Sequence, residues 1–235
     1  MADTQPKEYR QARFQRPPGA CELLLVRHGE SEPARPGEPF PLVDGHGDPA
    51  LDPVGVAQAE RAAERLIESG QDIAAIYVTS LRRTHQTAAP LANRLGLQPI
   101  VEPELREVHL GDWEGGEFRR QMALQSEIAV RMREEQRWDV IPNAEPADVF
   151  RARVQGAVSR IAANHRDQTV VVVTHGGVIG QILALATGSR PFAFTGCDNA
   201  SISHVVVFGE VWIVRRFNDT AHLGLHFTEA SEPLT

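Results

Sequence analysis

Arg27-His28-Gly29-Glu30 follows directly on the apolar run Leu23-Leu24-Leu25-Val26. That order delivers a guanidinium and an imidazole together at the C-terminal edge of an expected buried strand, the edge at which open α/β sheets bind ligands. Phosphate suits the pair: guanidinium grips it through two parallel hydrogen bonds, and imidazole can attack phosphorus. Taken alone, the tetrapeptide reads equally well as a solvated arginine and a capping histidine. A second copy of the design changes that weighing. The β-branched run Val170-Val171-Val172-Val173-Thr174 empties into His175-Gly176-Gly177, and an apolar periodic segment follows from Val178 to Ala186. This predicts strand, histidine, glycine turn and helix, with the unpaired N–H groups of the helix start beside His175. Two histidines at two strand ends, each next to glycine, can converge on one anion.

Four segments of the chain, in order from about Leu23 to Leu223, resemble the histidine phosphatase superfamily, in the branch that includes cofactor-dependent phosphoglycerate mutases. Leu25-Val26-Arg27-His28-Gly29-Glu30 is similar to the signature around the phosphorylated histidine. Thr79-Ser80-Leu81-Arg82-Arg83-Thr84-His85-Gln86-Thr87-Ala88 resembles the stretch that supplies a second phosphate-clamping arginine, and the pattern Arg-x-x-Gln-Thr-Ala selects Arg83 over Arg82. Leu105-Arg106-Glu107-Val108-His109-Leu110-Gly111-Asp112-Trp113-Glu114-Gly115 looks like the segment carrying a proton-donating glutamate, here Glu107. Val173-Thr174-His175-Gly176-Gly177 matches the second core histidine. The resemblance implies that His28 becomes phosphohistidine and that Arg27 and Arg83 clamp the phosphoryl oxygens. It also implies that His175 and Gly176 add phosphate contacts, and that Glu107 acts first as acid and then as base.

The chemistry explains the grouping. Hydrolysis of phosphate monoesters is so slow that enzymes supply accelerations of up to ~10²¹. A nucleophile splits the displacement into two transfers, cations neutralise the oxygens, and an acid protonates the departing alkoxide. His28 must be neutral to attack, and nearby arginines push its pKa down. Glu107 must carry a proton when the ester binds, and a phosphate dianion favours that form. A bell-shaped rate profile on the acid side is the expectation.

Arg82 reads as a charged helix start on a solvent face. Glu104 and Glu114 rival Glu107 for the acid role, and His109 is read as outside the site. The remaining histidines, His46, His85, His165, His204, His222 and His226, show no metal-ligand spacing, so neither a metal site nor a cofactor is expected. The chain also departs from the family pattern. Ala34 stands where many members have a phosphate-touching asparagine, and Asn143-Ala144-Glu145-Pro146 replaces Gly-Gly-Glu-Ser. Asn199 resembles a family position near the site. These departures favour a phosphomonoester hydrolase acting on a small phosphorylated molecule. The alternatives are mutase-type phosphoryl transfer and a noncatalytic phospholigand-binding regulator.

The elements that must position these groups alternate between strand and helix. Asp52 and Pro53 start a helix to about Ser69, Ile73 to Val78 is a strand, and a helix from about Leu81 to Leu95 stops at Gly96. Glu117 to Trp138 reads as one amphipathic helix, Ala147 to His165 as another, and Ser201–Phe208 with Val211–Phe217 as a hairpin. Pro33 to Asp52, rich in Pro, Gly and Asp, reads as an extended active-site loop. The expected fold is α/β, a three-layer α/β/α sandwich with a mostly parallel central sheet and a C-terminal antiparallel hairpin. Residues 1–20 read as a flexible arm and 21–235 as a single domain. The chain has 235 residues, a formal charge of −7 and two cysteines, Cys21 and Cys197. No membrane span, signal core or disulfide framework is expected, so the location reads as cytoplasmic. The acidic balance argues against nucleic acid or an anionic membrane as partner, while an exposed strand edge or the Glu117 helix offers a surface for a homodimer.

Overall fold

A computed structural model describes residues 10–224. Leu23 and Leu25 of the first strand, β1 (Cys21–Arg27), face one hydrophobic core, while Leu24 and Val26 face another. A strand buried on both faces has no polar side to show, so its sequence reads as an unbroken apolar run. The other strands are β2 (Leu42–Val43), β3 (His46–Gly47), β4 (Ile73–Val78), β5 (Ile100–Val101), β6 (Thr169–Thr174), β7 (Ile202–Phe208) and β8 (Val211–Asp219). The helices are α1 (Pro53–Glu68), α2 (Arg82–Leu95), α3 (Glu117–Ala123), α4 (Glu127–Glu135), α5 (Ala147–Asn164) and α6 (Gly176–Thr187).

Six strands form one sheet in the order β5-β4-β6-β1-β7-β8. The pairs from β5 to β1 are parallel, and β7 and β8 close the sheet antiparallel. Ala63 and Leu66 of α1 and Ala88 and Leu91 of α2 cover one face; Phe150, Val154, Val158 and Ile161 of α5 and Ile179, Ile182 and Leu183 of α6 cover the other. The three-layer expectation therefore holds. One register decides the site: Arg27 pairs with Thr174 across β1 and β6, and the His28 N–H donates to the Thr174 carbonyl at 2.9 Å. The residues that follow each strand, His28 and His175, are thereby brought side by side at the C-terminal edge.

Helix ends follow local chemistry. The Asp52 carboxylate accepts from the Gly55 N–H at 2.7 Å and caps α1, whose first residue is Pro53. Gly96, at φ 66°, ends α2 in the left-handed conformation that glycine adopts without steric cost. Glu117 to Trp138 is not one helix. Gln125 turns left-handed at φ 48°, and the Ser126 hydroxyl accepts from the Ala129 N–H at 3.3 Å, so the chain stops α3 and caps α4 anew. Trp113, Phe118, Met122, Met132, Val140 and Ile141 form a third apolar cluster, to which α3 and α4 contribute. Within the Pro33–Asp52 segment, β2 and β3 pair as a small antiparallel unit. Part of the expected N-terminal arm, residues 1–9, lies outside the described residues. Further along, the Arg16 guanidinium donates to the Asp167 carbonyl at 2.7 Å, and the Phe14 ring lies under Arg215 at 3.8 Å.

Candidate active site

Arg27, His28, Arg83, Glu107, Gly176 and Gly177 line one cavity of about 130 Å³ at the C-terminal edge of the sheet. His175 lies fully buried with its ring centroid 5.2 Å from that of His28, edge to face. Residues from four separate segments thus meet in one place.

The ring of His28 is oriented by its own neighbour. Nδ1 sits 2.8 Å from the Gly29 carbonyl, and because a carbonyl can only accept, Nδ1 carries the proton. Nε2 is left with the lone pair. Burial first, and then the charges of Arg83 and Arg27, hold the His28 pKa well below the usual imidazole value. The arginines act in the direction expected from sequence, but desolvation is the larger cause. The loop behind His28 is fixed from three sides. Gly29 N–H donates to Thr87 Oγ1 at 3.0 Å, Asn199 Nδ2 donates to the His28 carbonyl at 2.9 Å, and the N-terminus of α1 packs against Gly29 and Glu30. A Cβ on Gly55 would lie 1.9 Å from the Glu30 carbonyl oxygen, so only glycine permits that approach.

Arg83, in the first turn of α2, is buried and donates to the Gly47 carbonyl at 2.9 Å. Burial pushes its pKa down to about 10, which leaves it a cation at neutral pH. Arg82 does not line the cavity: its Nε donates to the Asp48 carbonyl at 2.8 Å and its backbone N–H to the Asp48 carboxylate at 2.8 Å. Both adjacent arginines therefore hold the 33–52 loop, and of the two Arg83 also lines the cavity. Arg27 donates through one terminal nitrogen to the Cys197 carbonyl.

His175 places Nε2 3.1 Å from Thr79 Oγ1, which in turn lies 3.1 Å from Thr84 Oγ1. Its Nδ1 is buried with no hydrogen-bond partner among the described residues. Burial, then Arg83 and His28, keep the His175 pKa well below its ordinary value. The Glu107 carboxylate accepts from the Val108 N–H and from the Gly177 N–H at the start of α6, both at 3.0 Å. A Cβ on Gly177 would fall 2.4 Å from Glu107 Oε1, so the second glycine of the turn makes room for the carboxylate. Arg153 holds the segment from behind, donating to the carbonyls of Glu104, Arg106 and Glu107 while paired with Glu145 at 2.7 Å.

Of the rivals, Glu114 lines the cavity and, like Glu107, accepts two backbone N–H groups, from Gly47 (2.7 Å) and Leu110 (2.8 Å); Glu104 does not line it. His109 is not among the lining residues either; it meets His46 edge to face at 5.1 Å. Sequence reasoning missed Arg119 and His46, which line the cavity from α3 and β3. Arg119 donates to Ser31 Oγ at 2.7 Å and the Glu32 carbonyl at 2.6 Å, closing α3 over the loop behind His28. Its spacing in sequence carries no signal, because its partners lie 87 and 88 residues away. Asn199, whose role sequence left open, touches the His28 backbone. His226 lies outside the described residues. Among the described residues no cluster of His, Cys, Asp and Glu is arranged to hold a metal ion.

This arrangement can do phosphoryl chemistry: a neutral, oriented imidazole, arginines around it, and a carboxylate across the cavity. Comparison with known proteins agrees. The sequence profile of the histidine phosphatase superfamily (branch 1) matches residues 23–220. Phosphoglycerate mutase-like protein 4 of Arabidopsis thaliana is 34% identical over 209 residues, covering 86% of this chain and 87% of its own length. Phosphoserine phosphatase 1 of Hydrogenobacter thermophilus is 32% identical over 216 residues, covering 91% and 99%. The structure of a mycobacterial glucosyl-3-phosphoglycerate phosphatase superposes with a TM-score of 0.71 at 29% identity, covering 86% of this chain and 100% of that one.

Proposed function

The chain belongs to the histidine phosphatase superfamily, branch 1, and from that premise we propose that it hydrolyses phosphomonoesters by passing the phosphoryl group through His28. In the first transfer, His28 Nε2 attacks phosphorus and the P–O ester bond breaks. The departing alkoxide takes a proton from Glu107, leaving the free alcohol and phosphohistidine. In the second, Glu107 takes a proton from water, whose oxygen attacks phosphorus as the P–N bond breaks. Inorganic phosphate leaves and His28 returns neutral. Arg27 and Arg83 hold the equatorial oxygens throughout, and His175 and Gly176 add donors.

The observation that carries this reading is the state of the His28 ring. Its proton is committed to the Gly29 carbonyl on Nδ1, so Nε2 is the nucleophile, and burial among cations keeps that nitrogen unprotonated in mild acid. The arginines supply the charge neutralisation that a metal would otherwise provide.

Rapid-quench trapping with a radiolabelled monoester tests the proposal. Label on His28 that is stable in alkali, lost in acid and absent from His28→Ala supports it. Label on serine or aspartate, or none during active turnover, defeats it. Incubation with 3-phosphoglycerate, with and without bisphosphoglycerate, separates hydrolysis from the mutase alternative: free phosphate is expected, and 2-phosphoglycerate is the contrary result.

A further inference from the structure

The cavity lining carries two kinds of group. Arg27, His28 and Arg83 stand at the sheet edge, while Phe40, Leu110, Trp113, Phe118 and Trp138 supply apolar surface, with Glu114 and Arg119 among them. That apolar wall is already packed. The rings of Trp113 and Phe118 are 6.1 Å apart and those of Phe118 and Trp138 are 6.0 Å apart, backed by Met122 and Met132.

The polar groups on the same side are engaged within the chain. Both carboxylates of the cavity, Glu107 and Glu114, accept two backbone N–H groups each. Arg119 is tied to Ser31 and Glu32, with its guanidinium 5.2 Å above the Phe40 ring. An ammonium placed against this wall would meet the Arg119 guanidinium as a like charge. An apolar body would displace water from the aromatic wall and break nothing.

We infer that the ester taken by this site has an apolar alcohol, alkyl or aryl, rather than the zwitterionic alcohol of an amino acid. The inference rests on the phosphatase reading of the same site and adds the chemical class of the leaving group. Straight-chain alkyl phosphates test it, because lengthening the chain from ethyl to pentyl adds apolar surface while barely changing the leaving-group acidity. In the intact protein, kcat/KM is expected to rise about three- to fourfold per methylene while the methylenes are buried, and to level off when the wall is covered. Phosphoserine is expected to fall below propyl phosphate. Trp138→Ala should flatten the series, and Phe40→Ala, on the more exposed loop, should do the same if the tryptophan variant does not fold. A flat series in the unaltered protein, or phosphoserine and 3-phosphoglycerate exceeding every alkyl ester, overturns the inference while label on His28 preserves the phosphatase reading. Failure to hydrolyse any ester, with no label on His28, removes both.

Discussion

His28 and His175 are buried, neutral and adjacent, and that combination links the stability of the protein to pH. In the unfolded chain each imidazole is free to protonate near its ordinary value of 6.5, whereas in the folded chain burial and Arg83 keep both uncharged. The unfolded state therefore binds more protons as pH falls through that value, so stability rises with pH there and is lost on acidification. Each such histidine can contribute up to about 1.4 kcal/mol per pH unit between its two pKa values. Denaturant unfolding at a series of mildly acidic pH values should show this slope, and His175→Gln should make it shallower; an unchanged slope would mean that the imidazole protonates in place. Catalysis through the proposed nucleophile is expected to respond differently, because an imidazole with a depressed pKa stays unprotonated in the same range. The proposed proton donor, Glu107, gives a second residue-scale prediction. Glu107→Gln should slow cleavage of an alkyl phosphate by about 10²–10⁴, the range of general acid catalysis. It should slow p-nitrophenyl phosphate much less, because that leaving group departs without a proton. Any misplacement of the amide against the N–H groups of Val108 and Gly177 affects both esters alike, so the ratio of the two losses isolates proton transfer.

At the scale of elements, the start of α6 sets the position of Glu107, the proposed acid. In Gly177→Ala the new Cβ would meet Glu107 Oε1 at 2.4 Å and displace the carboxylate. Alanine is otherwise the better helix residue by up to about 1 kcal/mol, so the fold should tolerate the change. Turnover is expected to fall by about 10²-fold, the scale of a displacement near 1 Å, with little change in Tm; kinetics and thermal unfolding of one preparation check both. This juncture was legible in sequence because strand, histidine and glycine pair are contiguous, as were β1 and the cap of α1 at Asp52. The break between α3 and α4 was not: Gln125 has no sequence mark of a left-handed turn, and periodicity runs on through it. Nor were β5 and the β2–β3 pair, which are two residues per strand and too short to show alternation. Arg119 and His46 escaped for another reason. His46 reaches the cavity on the 33–52 loop, which is tied by Arg82 to Asp48 and by Phe40 N–H to the Gly115 carbonyl at 3.0 Å, and Arg119 reaches it from α3, held to Ser31 and Glu32. Contacts of that range leave no local pattern.

For the molecule as a whole, the sheet separates the apolar core from the groups proposed to react. The apolar residues of β1 and β6 lie between the two helical layers, whereas His28 and His175 follow the last residues of those strands. Ile161 lies in the last turn of α5, just ahead of the turn into the N-terminal end of β6, and so at the opposite edge of the sheet from the cavity. It is 2% exposed and packs in the larger core. Truncation there removes buried methylenes and leaves a void, so Ile161→Ala should cost about 2–5 kcal/mol. For a chain of this size that corresponds to a fall in Tm of roughly 4–20 °C. Because the register of β1 on β6 does not depend on Ile161, kcat of the folded protein should be unchanged at a temperature well below the transition. His28→Ala should do the reverse, abolishing turnover while Tm stays within a few degrees, since it removes a side chain from the cavity rather than from between the layers. Measuring kcat and Tm for both variants tests the separation. If Ile161→Ala lost activity in proportion to its loss of stability while still fully folded, the sheet would be transmitting strain to its C-terminal edge, and the site could not be treated as resting on a rigid scaffold.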